Sequence, residues 1–90
     1  MGSVQRHADI CTKLNSIYAQ KNAAYGDSFA ETYAKLGIVS AVTRMTDKIN
    51  RLHALSVNDS IDKGDESILD TCMDLANYAI MTVMELEKHR

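Results

Sequence analysis

Three carboxylates and an amide recur at helical spacing in the last third of the sequence. Glu66, Asp70 and Asp74 follow one another every four residues, and Asn77 comes three residues later. Because four residues advance an α-helix by about 400°, these side chains form one row. Neighbouring carboxylates in such a row repel each other by about 0.2–0.5 kcal/mol. Two interpretations stay open: the row is an ordinary solvated helix face, or it binds a cation.

The same row continues toward the C-terminus with Met81 and Met84, so the face that carries it is not uniformly polar. The main apolar residues of this helix lie on the opposite side: Ile68, Cys72, Leu75, Ala79, Val83 and Leu86. A helix that is apolar on two sides is normally packed between neighbours, and carboxylates in a covered groove need a counter-ion or a metal. We therefore expect the side with Met73, Met81 and Met84 to be buried by another chain or by the first helix.

A second polar row precedes the first in the sequence and comprises Arg44, Asp47, Lys48 and Arg51. Asp47 could join the acids around a divalent ion such as Mg²⁺ or Mn²⁺, which takes carboxylate oxygens and retains waters and substrate phosphates. Guanidinium and ammonium groups suit phosphate oxygens, so Lys48, Arg51 and Arg44 could hold a polyphosphate. The alternative is a solvated stripe that contains an Asp47–Arg51 pair.

Other kinds of site are less well supported by the sequence. His7, His53 and His89 lack the mutual spacing of metal ligands on a helix, and no Glu-x-x-His occurs, which argues against a di-iron site. Cys11 and Cys72 lie in apolar-patterned stretches without Cys-x-x-Cys spacing, which is typical of reduced core residues in a cytosolic protein. Because the sequence has no glycine-rich phosphate loop, phosphate would be bound by side chains.

Length and composition predict one small domain that spans residues 1–90. A hydrophobic fraction of 46% argues against a disordered chain, and a net charge of −2 gives no general reason to bind nucleic acid. No apolar run approaches the roughly 20 residues of a membrane span, and no secretory signal pattern is present. We expect a cytoplasmic protein with no membrane partner.

The elements that must position these residues are all predicted to be helices. Apolar residues recur at three- and four-residue steps over residues 3–21, which indicates a first helix. Gly26 suits the turn that follows it, Ser28 and Glu31 match a capping box that opens a short helix, and Gly37 ends that helix.

The third predicted helix starts near Ile38, and a loop follows at residues 56–67. Its narrow apolar face consists of Ile38, Val42, Met45, Ile49 and Leu52. Asp65 is the expected N-cap of the last helix, which runs to about Lys88. The predicted fold class is all-α, a bundle of three long helices and one short helix. Because a chain of 90 residues buries only a modest core, we expect oligomerisation to complete it.

Three stretches of the sequence, "KNAAYGDSF", "TRMTDKINRL" and "DESILDTCMDLANYAIM", resemble the nucleotide modification associated domain 1 family, which is common in phages and prophages. That family is similar to the MazG-like all-α nucleoside triphosphate pyrophosphohydrolases. The resemblance implies a MazG-like fold, assembly as a dimer or tetramer, and a role in phage nucleotide modification. It also implies Mg²⁺-dependent hydrolysis of a (deoxy)nucleoside triphosphate to a monophosphate and pyrophosphate.

The resemblance assigns catalytic and metal-binding roles to Asp47, Asp70 and Asp74. Asp70 and Asp74 match the outer acids of the second MazG-like motif, and Asp47 matches the second acid of the first motif. Arg44 stands where that first motif has another acid, so one metal ligand is replaced by a cation. Glu66 or Glu31 would have to supply the missing carboxylate. This departure favours the alternative function, a non-catalytic helical module that binds a nucleotide or a protein partner.

We predict that the nucleoside is bound by Lys21, Asn22, Tyr25, Asp27, Asn77 and Tyr78. A helix end followed by a turn accounts for most of the residues at positions 21–27. A turn does not require an aromatic residue, so it accounts least well for Tyr25. That ring could stack on a base or fill the core. Asn77 lies inside a helix, where asparagine has poor propensity, so its amide should bond either a ligand or a neighbouring helix.

Overall fold

The structure, a computed structural model, describes residues 2–57 and 65–88, without the side chains of residues 65 and 66. The described residues form four α-helices: α1 (Val4–Tyr25), α2 (Ser28–Leu36), α3 (Ile38–Val57) and α4 (Asp65–Lys88). The predicted all-α fold with three long helices and one short one is confirmed. In the described part of the chain no helix has the length and hydropathy of a membrane span. The loop predicted between α3 and α4 lies outside the described residues over 58–64, as does His89.

The first helix is longer than its apolar pattern predicts. Its N-terminus is capped by Ser3, whose Oγ accepts a hydrogen bond from a backbone amide at 3.0 Å. Its C-terminus lies beyond the predicted end at Lys21, because the backbone stays helical until the Gly26 amide donates to the Asn22 carbonyl at 2.8 Å. The added turn places Asn22 and its neighbours on a helix rather than in a loop.

Two glycines end α1 and α2 as predicted. The φ angle is 70° at Gly26 and 74° at Gly37, in the region that side chains with a Cβ rarely adopt. The capping box predicted at Ser28 is wrong, because α2 begins at Ser28 itself and Asp27 holds the N-cap position. The Asp27 side chain makes no capping hydrogen bond, so its carboxylate is available to the cleft described below.

The pairing of α3 with α4 organises the fold. Arg44 lies opposite Tyr78, and Lys48, one turn further along α3, lies opposite Asp74, one turn earlier on α4. The two helices therefore run antiparallel. α1 packs against one side of this pair, where the Asn77 amide donates to the Leu14 carbonyl at 3.1 Å.

The interior of the chain is small and partly polar. Its buried apolar side chains are Leu14, Tyr33, Ala41 and Leu55. The buried polar side chains all belong to α4 and are Thr71, Asn77, Thr82 and Glu85. The two threonines donate to backbone carbonyls one turn earlier in the same helix, at 2.6 and 2.7 Å. Glu85 accepts a hydrogen bond from Lys88 at 2.8 Å, and this bond raises the pKa of the Lys88 ammonium.

The apolar faces predicted for α3 and α4 do not form this interior. Ile38, Val42 and Ile49 on α3, and Val83 and Leu86 on α4, are each about half exposed. In the described part of the chain these faces are therefore only partly covered, since other members of them, such as Leu52 and Leu75, are of intermediate exposure. The contacts between α3 and α4 include polar residues of both rows instead.

The expectation that the cysteines are core residues is also wrong, since both Cys11 and Cys72 are free thiols exposed to solvent. Cys72 belongs to the partly covered apolar face of α4. Cys11 lies on the first half of α1, and Leu14 is the only buried residue of that helix. Both positions have the apolar spacing of a core helix, but the described residues leave them exposed.

We predict that Asn77→Ala destabilises the protein by about 1–3 kcal/mol, because the substitution removes a buried hydrogen bond that joins α4 to α1. Urea denaturation followed by circular dichroism measures the free energy of unfolding. The matched control is Asn50→Ala, at an exposed position on α3, which should change stability by less than about 0.5 kcal/mol. Equal effects of the two substitutions would contradict the structural role of Asn77.

Candidate functional site

A cleft of about 140 Å³ lies where the end of α1 meets α2, α3 and α4. All six predicted nucleoside-binding residues line it: Lys21, Asn22, Tyr25, Asp27, Asn77 and Tyr78. Arg44 and Asp74, from the two predicted polar rows, line it as well. The cleft therefore gathers residues from Tyr18 to Met81, which are 63 positions apart in the sequence. It combines aromatic rings with charged groups, as small-molecule sites do.

Two lysines hold the carboxylate of Asp74 on one wall of the cleft. Lys21 Nζ lies 3.0 Å from Oδ1, and Lys48 Nζ lies 3.5 Å from Oδ2. The Asp74 and Lys48 side chains are 29% and 28% exposed, whereas Lys21 is 57% exposed. Pairs open to solvent in this way contribute only about 0–1 kcal/mol each. The lysines can therefore exchange Asp74 for another anion at little cost in stability.

Tyr78 stands beside these lysines and connects them to a third cation. The Arg44 guanidinium donates to the Tyr78 hydroxyl at 3.5 Å and lies 6.0 Å from the ring centroid. Lys48 Nζ also lies 6.0 Å from that centroid, and the ring of Phe29 packs against Tyr78 at 5.9 Å. Cations over a ring face gain electrostatic energy from its quadrupole. The Tyr78 ring thus has two cationic groups near its face and one aromatic ring as a neighbour.

Arg44 keeps its charge unpaired. Among the described residues no carboxylate lies within ion-pair distance of its guanidinium. By the resemblance to the MazG-like motif, an acid would be expected at the position of Arg44, and the structure shows that this arginine lines the cleft. The replacement therefore makes the cleft more positive, which favours an anionic ligand.

The structure decides between the alternatives that the sequence leaves open for Asn77 and for Tyr25. The Asn77 amide makes the cross-helix bond, to the Leu14 carbonyl, so its nitrogen positions α1 while its side chain lines the cleft. Tyr25 does not fill the core, because it is 76% exposed. An exposed ring at the mouth of a cleft can cover a ligand's planar face.

Of the remaining predicted acids, the two whose side chains are described, Asp70 and Asp47, do not form a cluster with Asp74. Asp70 is exposed on the preceding turn of α4, and the Glu66 side chain lies outside the described residues. Asp47 is exposed and lines a separate groove on α3 with Val39 and Val42. Arg51, predicted to bind phosphate, is exposed one turn beyond Lys48 and is not part of the cleft lining.

The described residues do not fit a divalent metal as they stand. No three histidine, cysteine, aspartate or glutamate side chains among them come close enough to hold an ion. Both oxygens of Asp74 face ammonium groups instead. A site for Mg²⁺ or Mn²⁺ at Asp47, Asp70, Asp74 and Glu66 stays a prediction from the sequence.

Two aromatic residues of the cleft, Tyr18 and Phe29, are not predicted from the sequence as site residues. Tyr18 belongs to the apolar stripe of α1 and is indistinguishable there from a core residue. Phe29 follows the turn between α1 and α2, and its contact with Tyr78 depends on the angle between these helices. An aromatic residue one position after the "YGDS" turn is the only local signal that could have identified Phe29.

Comparison with known proteins identifies the family of the chain. A family model described as nucleotide modification associated domain 1 matches residues 21–86. No match was found among curated proteins or among solved structures. The matched segment contains the cleft residues Lys21, Arg44, Asp74 and Tyr78. It also contains Lys48, which is not part of the lining but pairs with Asp74. Because the match covers well over half of the sequence, the chain belongs to the nucleotide modification associated domain 1 family.

Proposed function

We propose that the protein binds a nucleotide in the cleft between α1, α2, α3 and α4. The observation that carries this proposal is the convergence of Lys21, Lys48 and Arg44 beside the ring of Tyr78. Ammonium and guanidinium groups bind phosphate oxygens, and aromatic rings pack against nucleobases. A nucleotide is a ligand that needs both kinds of group within one small site.

The polar residues of the cleft fit the nucleoside part of such a ligand. Asn22, Asp27 and Ser28 line the cleft near the end of α1 and the start of α2. Amide, carboxylate and hydroxyl groups can bond the edge of a base or the hydroxyls of a sugar. Tyr25 lies at the exposed side of the same region, where it can cover the base.

We predict that Lys48→Ala weakens nucleotide binding by roughly 10-fold or more, since it removes a charge-assisted contact to phosphate worth about 1.5–3 kcal/mol. Isothermal titration calorimetry with a panel of nucleotides measures Kd. The control is Lys13→Ala, which removes an equal charge from an exposed position on α1 outside the cleft lining. If the two variants bind equally well, the phosphate does not sit at Lys48.

Pyrophosphate release from a nucleoside triphosphate is a second candidate function, in phage nucleotide modification. It is supported by the resemblance to MazG-like enzymes and by the position of Asp70 and Asp74 one turn apart on α4, with Asp74 in the cleft wall. This candidate requires that Asp74 leave its lysines and that Asp47 or Glu66 come close to it. In the alternative, the cleft binds a nucleotide without cleaving it.

A pyrophosphate-release assay with nucleoside triphosphates and Mg²⁺ or Mn²⁺ separates the two candidates. If the protein is a hydrolase, Asp70→Asn should lower kcat by at least about 10²-fold, in the range seen for catalytic groups. Asp9→Asn, at an exposed position on α1, should leave kcat unchanged. No turnover by a protein that binds nucleotide would establish the non-catalytic module.

We also infer that the protein is a homo-oligomer, a dimer or a tetramer. The half-exposed apolar side chains of α3 and α4 give this helix pair an apolar surface. They are Ile38, Val42, Ile49, Val83 and Leu86. Exposed apolar surface of this kind on a small chain marks an interface, and a second α3–α4 pair packed against it would form a four-helix bundle. None of the five residues lines the cleft, so an interface built on them would not use the cleft residues.

We predict that Val83→Glu shifts the protein to a monomer, because it places a charge in the centre of the proposed interface. Sedimentation velocity measures the change. Val4→Glu is the matched control, since Val4 is 89% exposed at the start of α1. A wild-type protein that is monomeric at concentrations of about 100 μM, where even weak assemblies form, would contradict the assembly.

A further inference from the structure

We infer that the cleft selects a nucleoside monophosphate and binds it without a divalent metal ion, an inference that rests on the proposed function. In this view the phosphate binds the ammonium groups of Lys21 and Lys48, which pair with Asp74 in the free protein. The inference follows from the charges on the cleft wall, from the way Asp74 is held, and from the size of the cleft.

The side chains of Lys21, Lys48, Arg44 and Asp74 together have a surplus of two positive charges, which the Asp27 carboxylate elsewhere in the lining lowers to one for the cleft as a whole. Lys21 and Lys48 share a single carboxylate, that of Asp74, so one of their two charges is not neutralised. Arg44 adds a second, because no carboxylate of the described residues pairs with it. A phosphomonoester carries a charge of about −1.5 to −2 at pH 7. The wall and one terminal phosphate therefore neutralise each other.

A triphosphate does not match this wall. It carries more negative charge than the three cations can offset while Asp74 remains ionised, and polyphosphates are normally bound together with Mg²⁺ for this reason. The described residues hold no group of acids that could bind such an ion beside the phosphates. The charge balance of the cleft thus favours the ligand with the single phosphate.

Asp74 occupies the place that a phosphate would take. Its two oxygens each face one ammonium group, at 3.0 and 3.5 Å, as two oxygens of a phosphate could. Lys21 is more than half exposed and can turn toward a ligand. Each ammonium has three N–H donors, so a lysine can bond the phosphate and still face Asp74. The free protein therefore keeps its lysines in position by means of an internal anion.

The cleft is too small to enclose a whole nucleotide. Its volume of about 140 Å³ is below the range of roughly 300–1,000 Å³ that is usual for drug-sized ligands, so part of a bound nucleoside monophosphate would lie outside it. A phosphate at the Lys21–Lys48 wall would leave the nucleoside to extend toward the exposed Tyr25. A chain of three phosphates would displace the nucleoside from the rings.

The test compares wild type with Asp74→Asn by calorimetry in EDTA, using a nucleoside monophosphate, the matching triphosphate and inorganic phosphate. Wild type should bind the monophosphate more tightly than the triphosphate and than phosphate alone. Asp74→Asn removes the competing anion, so the monophosphate should bind about two- to five-fold more tightly, the factor expected for losing one exposed ion pair. Asp9→Asn is the control for the lost charge and should leave Kd unchanged.

Other outcomes overturn the inference in distinguishable ways. Triphosphate binding that needs Mg²⁺ and is weakened by Asp74→Asn would make Asp74 a metal ligand and refute the inference, while the proposed function would stand. If inorganic phosphate binds as tightly as the nucleotide, the cleft is only an anion site, and its selection of a nucleoside monophosphate is refuted. No binding of any nucleotide would refute the proposed function itself. Monophosphate affinity should also fall as the pH drops below about 6, where the phosphate loses its second charge.

Discussion

The antiparallel pairing of α3 with α4 is the constraint on which the rest of the structure depends. Its register sets Arg44 opposite Tyr78 and Lys48 opposite Asp74, so residues from two distant stretches of sequence form a single wall. A shift of α4 by one residue would rotate its side chains by about 100° and would separate each of these pairs. The same register leaves Asn77 facing α1, and the bond from Asn77 to Leu14 then brings Lys21 within reach of Asp74.

The register also explains why the chain has a polar interior and an apolar exterior on α4. Thr71, Asn77 and Glu85 are buried within the chain, whereas Val83 and Leu86 are about half exposed. A domain stable by itself would show the reverse pattern. The arrangement is consistent with a subunit whose largest apolar surface is covered on assembly and whose functional cleft is shaped by its own four helices. Binding and assembly would then use different residues of the same helix pair.

Much of this architecture could be predicted from the sequence, because apolar periodicity and glycine positions are local signals. The four helices and the turns at Gly26 and Gly37 follow from them. The direction in which each face points could not be predicted, since it depends on what packs against it. Val42 and Val83 have the spacing of core residues but have no covering layer in this chain. The capping pattern at Ser28 failed for a local reason, because the preceding Asp27 takes the N-cap position.

In the candidate site, too, local sequence patterns identify residues that take part, whereas the packing of the helices decides which of them come together. The six residues predicted to bind the nucleoside do line one cleft, together with Arg44. Lys48 is outside the lining and pairs with the cleft residue Asp74. Asp47 does not line the cleft, because it lies on the outer surface of α3 beside Val39. A crystal structure of the protein with a bound nucleoside monophosphate tests the central claim most directly. Our account places the phosphate within hydrogen-bond distance of Lys21 Nζ and Lys48 Nζ, with the base against the aromatic residues of the cleft. A nucleotide bound elsewhere on the molecule, at a site that leaves the Asp74 ion pairs intact, would contradict it.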